Sequence, residues 1–462
     1  MDHYVLPCHP AQTCLDPLGL CDDENPFVWA VVTACLQGCS DISQLPRVVE
    51  DLSYSIHMQG DQDTRFLRQF LLERYPDPQS PAAKLDLQNI LSSALQLPSL
   101  FPAHVIPYLS PSSDPVLHLS HAQIRSLLSH QILNTLSPPP GNTWGCTFTC
   151  WYSEPQPLKT AIMGYLSALF DYFELPLDED DTTKIEYRYI TTPAPSLGCM
   201  PVYDIETWKR LPTSDVLSHL RIEPTTSATV PFLNAHDIPC TLIASNKEPG
   251  FGPSCTQEEL VTAACPPLLI LGALLVSPPI PPDAALLVSG IVPLSHWRGQ
   301  GREARLVGKT TLEQHTFLLL DASELDAVDI DNPTTPSPID LHPPYLLRDL
   351  VKCQLGFSAL RQRGVKEISA PLWGAGAFGG DPVVKCLVLA MAACREDVVV
   401  TLSVDQDRVY STAKLGETLD VAHGNNHLGT VVSVLEGLQT KYRGSSDVNM
   451  GELFATLYPQ GK

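Results

Sequence analysis

Apolar residues recur every three or four positions over 63–75 (DTRFLRQFLLERY) and 84–97 (KLDLQNILSSALQL), which places them along one face of an α-helix. A third helix is expected from Ser120, where Ser120 and Gln123 stand in capping-box spacing ahead of IRSLLSHQIL. Ser137, three prolines and Gly141 end it. The stretch from 26 to 175 therefore reads as mainly helical. After residue 200 or so the texture changes to short apolar runs between Gly, Pro and polar turns: 238–245 (IPCTLIAS), 285–292 (ALLVSGIV) and 316–322 (TFLLLDA), each a predicted strand. Two further strands, 367–372 and 398–403, flank a helical segment at 382–394, giving the order strand, glycine loop, helix, strand. The expected fold class is α/β: a mixed or largely parallel sheet covered by helices, preceded by a mainly helical region. The division falls at 1–200 and 201–462, no internal repeat is visible, and the first 25 residues or so carry no clear periodicity.

Composition sharpens this picture. Hydrophobic residues make up 44% and charged residues 17%, below the roughly 25% charged that is typical, so most of the chain is suited to packing rather than disorder. The 43 prolines cut the chain into short elements. With 51 acidic against 29 basic residues the formal charge is −22, and such a field repels polyanions unless a local positive feature overrides it, which disfavours nonspecific nucleic-acid binding. The start, MDHYVLPCHP, lacks the basic and apolar regions of a secretion signal, so the 14 cysteines are expected to be reduced and the protein intracellular. The longest apolar run, 268–276, is too short to span a bilayer. The close pairs Cys35/Cys39 and Cys146/Cys150 have a spacing more usual in core cysteines than in zinc sites, and His423 and His427 sit in the loop-like HGNNH, so neither a metal nor another cofactor is expected. The acidic run 178–181 reads as a solvated loop.

Three constellations carry candidate chemistry. The first runs from Asn246 through Gly250, Phe251 and Gly252 to Gln257, Glu258 and Glu259, a flexible loop after a strand that leads into a helix with two adjacent carboxylates. Its glycine amides suit a diphosphate near a helix N-terminus, while the bland alternative makes Thr256 and Glu259 a capping box. The second is Trp373, Gly374, Ala375, Gly376, Ala377, Phe378, Gly379, Gly380 and Asp381. It matches G-x-G-x-x-G literally, but Glu396, Asp397 and Asp405 are misplaced for the ribose-binding acid of a dinucleotide fold. A phosphate-wrapping loop and a structural tight turn both remain open. The third is a basic loop with Trp297, Arg298, Arg302 and Arg305, whose guanidinium forks suit either phosphates or surface carboxylates.

Together these segments resemble the catalytic domain of poly(ADP-ribose) glycohydrolases. The match rests on Gly250 and Gly252 ahead of Gln257, Glu258 and Glu259, on the run WGAGAFGGDPVVKCLVLAMAA from Trp373, and on ALQLPSLF at 94–101 with LSHAQIRSLLSHQILNTL at 119–136. It covers 85–440 or so. The resemblance implies a macrodomain-like mixed sheet behind a helical accessory region, and cleavage of the ribose–ribose O-glycosidic bond in poly(ADP-ribose) to release ADP-ribose. It further implies Glu259 as general acid/base, Glu258 on ribose hydroxyls, Gln257 and Asn246 as substrate-fixing residues, and Gly250 and Gly252 as part of the first loop. Gly374, Ala375, Gly376 and Ala377 would contact the diphosphate through their backbone, with Trp373 beside them and Phe378 against the terminal ribose. Implied partners are poly(ADP-ribose) and ADP-ribosylated proteins, with no sequence-specific nucleic acid, no membrane and a monomeric state. Nuclear or cytoplasmic residence and a role in the DNA damage response follow the same resemblance. The chain departs from the family pattern at Phe251, which replaces the middle of three glycines, at Pro253 to Thr256, a shorter connection to Gln257, at Ile243, which replaces an aspartate, and at 294–300, where Trp297 is the nearest aromatic to a tyrosine-rich adenine-packing segment. These departures keep a second function in view: an impaired, ADP-ribose-binding macrodomain reader. A dinucleotide-dependent enzyme is the third.

Overall fold

The computed structural model describes residues 3–23, 25–58, 62–110, 116–141, 147–177, 183–191, 204–225, 238–276, 280–310, 313–326, 338–405, 431–444 and 448–458. The chain folds into two compact units. The first gathers Met1–Arg188, Glu248–Pro279 and Val288–Gln314; the second gathers Tyr189–Lys247, Ile280–Leu287 and His315–Lys462. In chain order the strands are β1 (His3–Val5), β2 (Val105–Pro107), β3 (Val116–Ser120), β4 (Lys184–Thr191), β5 (Leu220–Thr225), β6 (Cys240–Ser245), β7 (Ala284–Ile291), β8 (Ser295–Arg298), β9 (Arg305–Lys309), β10 (His315–Asp321), β11 (Glu367–Ala370) and β12 (Val399–Asp405).

The first unit is dominated by helices Val28–Gly38, Leu45–His57, Arg65–Arg74, Pro81–Leu95, His121–Ile132, Lys159–Glu174 and the short Gln257–Ala264. The apolar period of Arg65–Arg74 buries Phe66, Leu67, Phe70 and Leu71. Helix Pro81–Leu95 begins earlier than its apolar period predicts because Ser80 caps the amide of Ala83 and Pro81 occupies the first turn. At Ser120 both halves of the expected capping box are formed with Gln123. The stretch read as helical also carries strands. β1 pairs antiparallel with β2, and β3 pairs antiparallel with β4 from Val116↔Arg188 to Ser120↔Lys184. β4 alternates buried Ile185, Tyr187 and Tyr189 with more exposed neighbours, the period of two that marks a half-buried strand.

Within the second unit the strands follow the order β10, β6, β11, β12, β5, with the first half of β7, to Leu287, beside β10. β10 and β6 are parallel from Thr316↔Cys240 to Asp321↔Ser245, β11 and β12 from Glu367↔Val399 to Ala370↔Leu402, and β12 and β5 from Val400↔Leu220 onward. β3 and β4 pair antiparallel and the strands here pair parallel, so both pairings of the expected mixed sheet are present. β6 is buried almost throughout and β10 from Phe317 onward because a parallel sheet is covered on both faces. Helix Pro343–Gln362 approaches β10 closely at Gly356, where a Cβ would stand 2.9 Å from Leu318 Cδ2. Helix Pro382–Glu396 buries Val383 through Ala393 without a break. Among the described residues no helix is long and apolar enough to cross a membrane, and 12 cysteines are free thiols.

Candidate active site

In the first unit, Glu258 and Glu259 occupy the first turn of helix Gln257–Ala264, where the helix dipole favours negative charge. Thr256 is the N-cap, its Oγ1 accepting from the Glu259 amide at 3.3 Å. That is half of the expected capping box. The Glu259 carboxylate reaches further back, Oε2 accepting from the Cys255 amide at 2.5 Å, and Cys255 turns into the left-handed region (φ 57°) to present it. Glu258 Oε1 accepts from the Gly250 amide at 3.1 Å. Both carboxylates are buried. Burial pushes the Glu259 carboxyl above the ordinary carboxylate range, partly offset by the nearby amides of Cys255, Ser254 and Thr256. A Cβ on Gly252 would lie 2.8 Å from Glu259 Oε1, so glycine is what leaves room for the carboxyl. Gln257, half-buried, opens the helix.

An aromatic wall stands under this loop. The buried ring of Phe251 packs on Phe148 (centroids 4.7 Å) and Trp151 (5.0 Å), Trp151 packs on Tyr165 (5.2 Å), and Tyr165 on Trp297 (5.0 Å). Trp151 Nε1 donates to the Gly252 carbonyl at 3.2 Å. Trp297 is therefore not an adenine platform: its indole is fully buried and donates to Ser295 Oγ at 3.0 Å. Trp151 and Tyr165 were invisible as site residues in the sequence, since nothing local to them signals a partner a hundred or more positions away.

In the second unit, the loop after β11 holds the other candidates. Trp373 is fully buried, its Nε1 donating to the Leu320 carbonyl at 2.9 Å. Gly374 has φ 72°, and a Cβ there would meet Ala322 Cβ at 2.6 Å. The Phe378 carbonyl accepts from the amides of Leu325 (2.9 Å) and Asp326 (3.1 Å), while Gly380 donates to the Gly374 carbonyl at 3.1 Å. Asp381 caps helix Pro382–Glu396 through the amides of Val383 and Val384. Beneath the loop, buried Lys385 Nζ lies 2.5 Å from Asp349 Oδ2 and 2.7 Å from Asp340 Oδ1, and Asp340 Oδ2 accepts from the Asp381 amide at 2.6 Å. This frame leaves Gly376 and Ala377 exposed and Ala375 and Phe378 half-buried, while the Ala375 amide and the Gly376 and Phe378 carbonyls are bonded within the protein. Asn246, half-buried, directly follows β6, in which Ile243 is fully buried.

Cys146, the His423/His427 pair and the acidic run 178–181 lie outside the described residues. Among the described residues no group of three or more His, Cys, Asp or Glu could hold a metal ion. The expected basic loop is a hairpin of β8 and β9 carrying Arg298, Arg302 and Arg305.

The sequence matches two family models. One, described as "Poly (ADP-ribose) glycohydrolase (PARG), helical domain", covers residues 84–189; the other, "Poly (ADP-ribose) glycohydrolase (PARG), Macro domain fold", covers 241–410. Similar solved structures include the poly(ADP-ribose) glycohydrolase of Deinococcus radiodurans in complex with ADP-ribose (13% identity, 53% of this chain and 99% of that one, TM-score 0.31). Two more are of the Thermomonospora curvata enzyme: one bound to the inhibitor ADP-HPD (17%, 49% and 90%, TM-score 0.31), and one described without it (18%, 48% and 76%, TM-score 0.30). No curated protein sequence matches the chain.

Proposed function

The chain belongs to the poly(ADP-ribose) glycohydrolase family, and from that premise we propose that it hydrolyses the ribose–ribose O-glycosidic bonds of poly(ADP-ribose), releasing ADP-ribose. The observation that carries the proposal is the buried Glu259 carboxyl, clasped by the Cys255 amide at the start of its helix and given room by Gly252. A carboxyl raised by burial keeps a proton to a higher pH, which is what protonating a leaving ribose oxygen requires. As the glycosidic C–O bond breaks, an oxocarbenium-like centre develops; the resulting carboxylate then takes a proton from water, whose oxygen forms the new bond, and Glu259 returns to its starting form. General acid–base help of this kind is worth about 100- to 10,000-fold. Glu258, Gln257, Asn246, Gly250, Gly252 and Trp373 through Phe378 take the substrate-binding roles the family resemblance implies, within a helical accessory region at 1–200 and a macrodomain-like region at 201–462.

The buried Phe251 ring, standing where the family has glycine, favours a second reading, a reader that binds ADP-ribose without hydrolysing it. One experiment separates the two: release of ADP-ribose from purified polymer by wild type and Glu259→Gln, with ADP-ribose binding measured on both. The glycohydrolase predicts release by wild type alone and binding by both. Undiminished release by the variant would remove Glu259 from the acid/base role, and binding by both with release by neither would leave the reader.

A further inference from the structure

The β8–β9 hairpin is stitched along helix Gln257–Ala264 at both ends. Leu294 donates its amide to the Ala264 carbonyl at 2.8 Å, and Gly301, in the turn, donates to the Cys255 carbonyl at 3.0 Å. Cys255 is the residue whose amide holds the Glu259 carboxylate, so the turn is one residue removed from the proposed acid/base. The hairpin has two faces. Trp297 and Leu306 sit opposite each other on the inner one, against Gly164 of helix Lys159–Glu174. Side chains alternate along a strand, so the next pair, Arg298 and Arg305, also directly opposite each other, lies on the outer face.

Like charges at directly opposed positions destabilise a ladder, and this chain has acidic residues to spare for neutralising them. Yet among the described residues no carboxylate pairs with Arg298, Arg302 or Arg305; the paired arginines include Arg47, Arg65, Arg68, Arg74, Arg188, Arg221 and Arg348. Glu303, exposed in the same turn, makes no ion pair with them. Arg298 Nε is buried without a hydrogen-bond acceptor, and Arg305 and Arg302 are exposed. Among the described residues, three guanidinium groups without an ion pair thus share one hairpin, whose turn bonds to the residue that holds the Glu259 carboxylate, on a molecule whose net field repels anions.

We infer that this hairpin is a second anion subsite, which takes a diphosphate of the polymer unit next to the one being cleaved. The inference rests on the glycohydrolase reading and deepens it: the subsite selects chains of ADP-ribose over the single unit. Guanidinium forks match phosphate oxygens two at a time, and the anion removes the repulsion between the opposed arginines.

The test is made on full-length protein carrying Glu259→Gln, which prevents cleavage, with size-fractionated poly(ADP-ribose) oligomers and monomeric ADP-ribose as probes at several salt concentrations. Adding Arg298→Gln and Arg305→Gln is expected to raise the oligomer Kd about tenfold and to flatten its salt dependence by roughly one unit of slope, leaving the monomer Kd unchanged. Arg298→Lys with Arg305→Lys should restore most of the oligomer affinity, because charge is kept. Equal losses for oligomer and monomer, no loss for either, or the same loss from the equally discharged pair Arg47→Gln and Arg361→Gln would overturn the subsite while leaving the glycohydrolase reading in place. Failure of the Glu259→Gln parent to bind either probe would sink the reading and the subsite together.

Discussion

At the scale of single residues, the burial that suits Glu259 to proton transfer also costs stability. Its folded pKa lies above the ordinary value, so the folded state holds this proton more tightly than the unfolded chain does. The stability linked to that proton is complete at pH values below the unfolded pKa and is lost as pH rises through the folded one. Glu259→Gln escapes the loss. Thermal melts of wild type and variant, compared from about pH 4 to about pH 8, should show the variant's melting temperature minus that of wild type increasing as pH rises; a difference that stays flat or falls would contradict the buried, raised carboxyl. The two adjacent carboxylates were plain in the sequence, and so was their place at the start of a helix. What holds them was not: Cys255 adopts a left-handed backbone that residue type does not announce, and Gly252 is required by the position of Glu259 Oε1 rather than by a turn.

Among elements, the loop 250–252 and the wall beneath it act as a unit, and Trp151 is its joint. Replacing Trp151 by Phe keeps an aromatic ring but removes the donor to the Gly252 carbonyl. Losing a hydrogen bond worth about 1 kcal/mol should loosen Gly252 and lower kcat about fivefold, with little change in the KM for polymer. An unchanged kcat would mean that the aromatic packing alone holds the loop. Elements were legible where their own residues carried the signal, as with the Ser120–Gln123 box or the apolar run of β6. They were obscure where partners decide. SHWR at β8 and RLVGK at β9 read as a basic loop until pairing turns Trp297 inward against Tyr165. The same burial withdraws Trp297 from any surface role, and no periodicity in so short a segment would have revealed it.

At the scale of the whole molecule, the texture change near residue 200 marks where strands begin to dominate, while the compact units are woven from three segments each. The helical half of the chain is consequently not a self-sufficient piece. A fragment ending at residue 200 lacks Phe251 and Trp297, which complete the stack of Phe148, Trp151 and Tyr165, and it also lacks Pro267 and Leu269, whose carbonyls accept from Tyr187 Oη and Gln131 Nε2. That fragment is expected to be protease-sensitive, with red-shifted tryptophan fluorescence. A fragment as protease-resistant as the intact chain would show that the later segments add nothing to its core.

Gly164 gives this weave a practical handle. Its bare Cα faces the Trp297 ring, and an added Cβ would come within 2.7 Å of Trp297 Cη2 and 2.9 Å of Leu306 Cβ. A single methyl group at 164 therefore asks both the indole and Leu306 to move, and a smaller ring at 297 would relieve only the first of the two. Positions 164, 297 and 306 thus act as a lock: Gly164→Ala is expected to lower the melting temperature, and Trp297→Phe to win back only the part owed to the indole, since the contact with Leu306 Cβ remains.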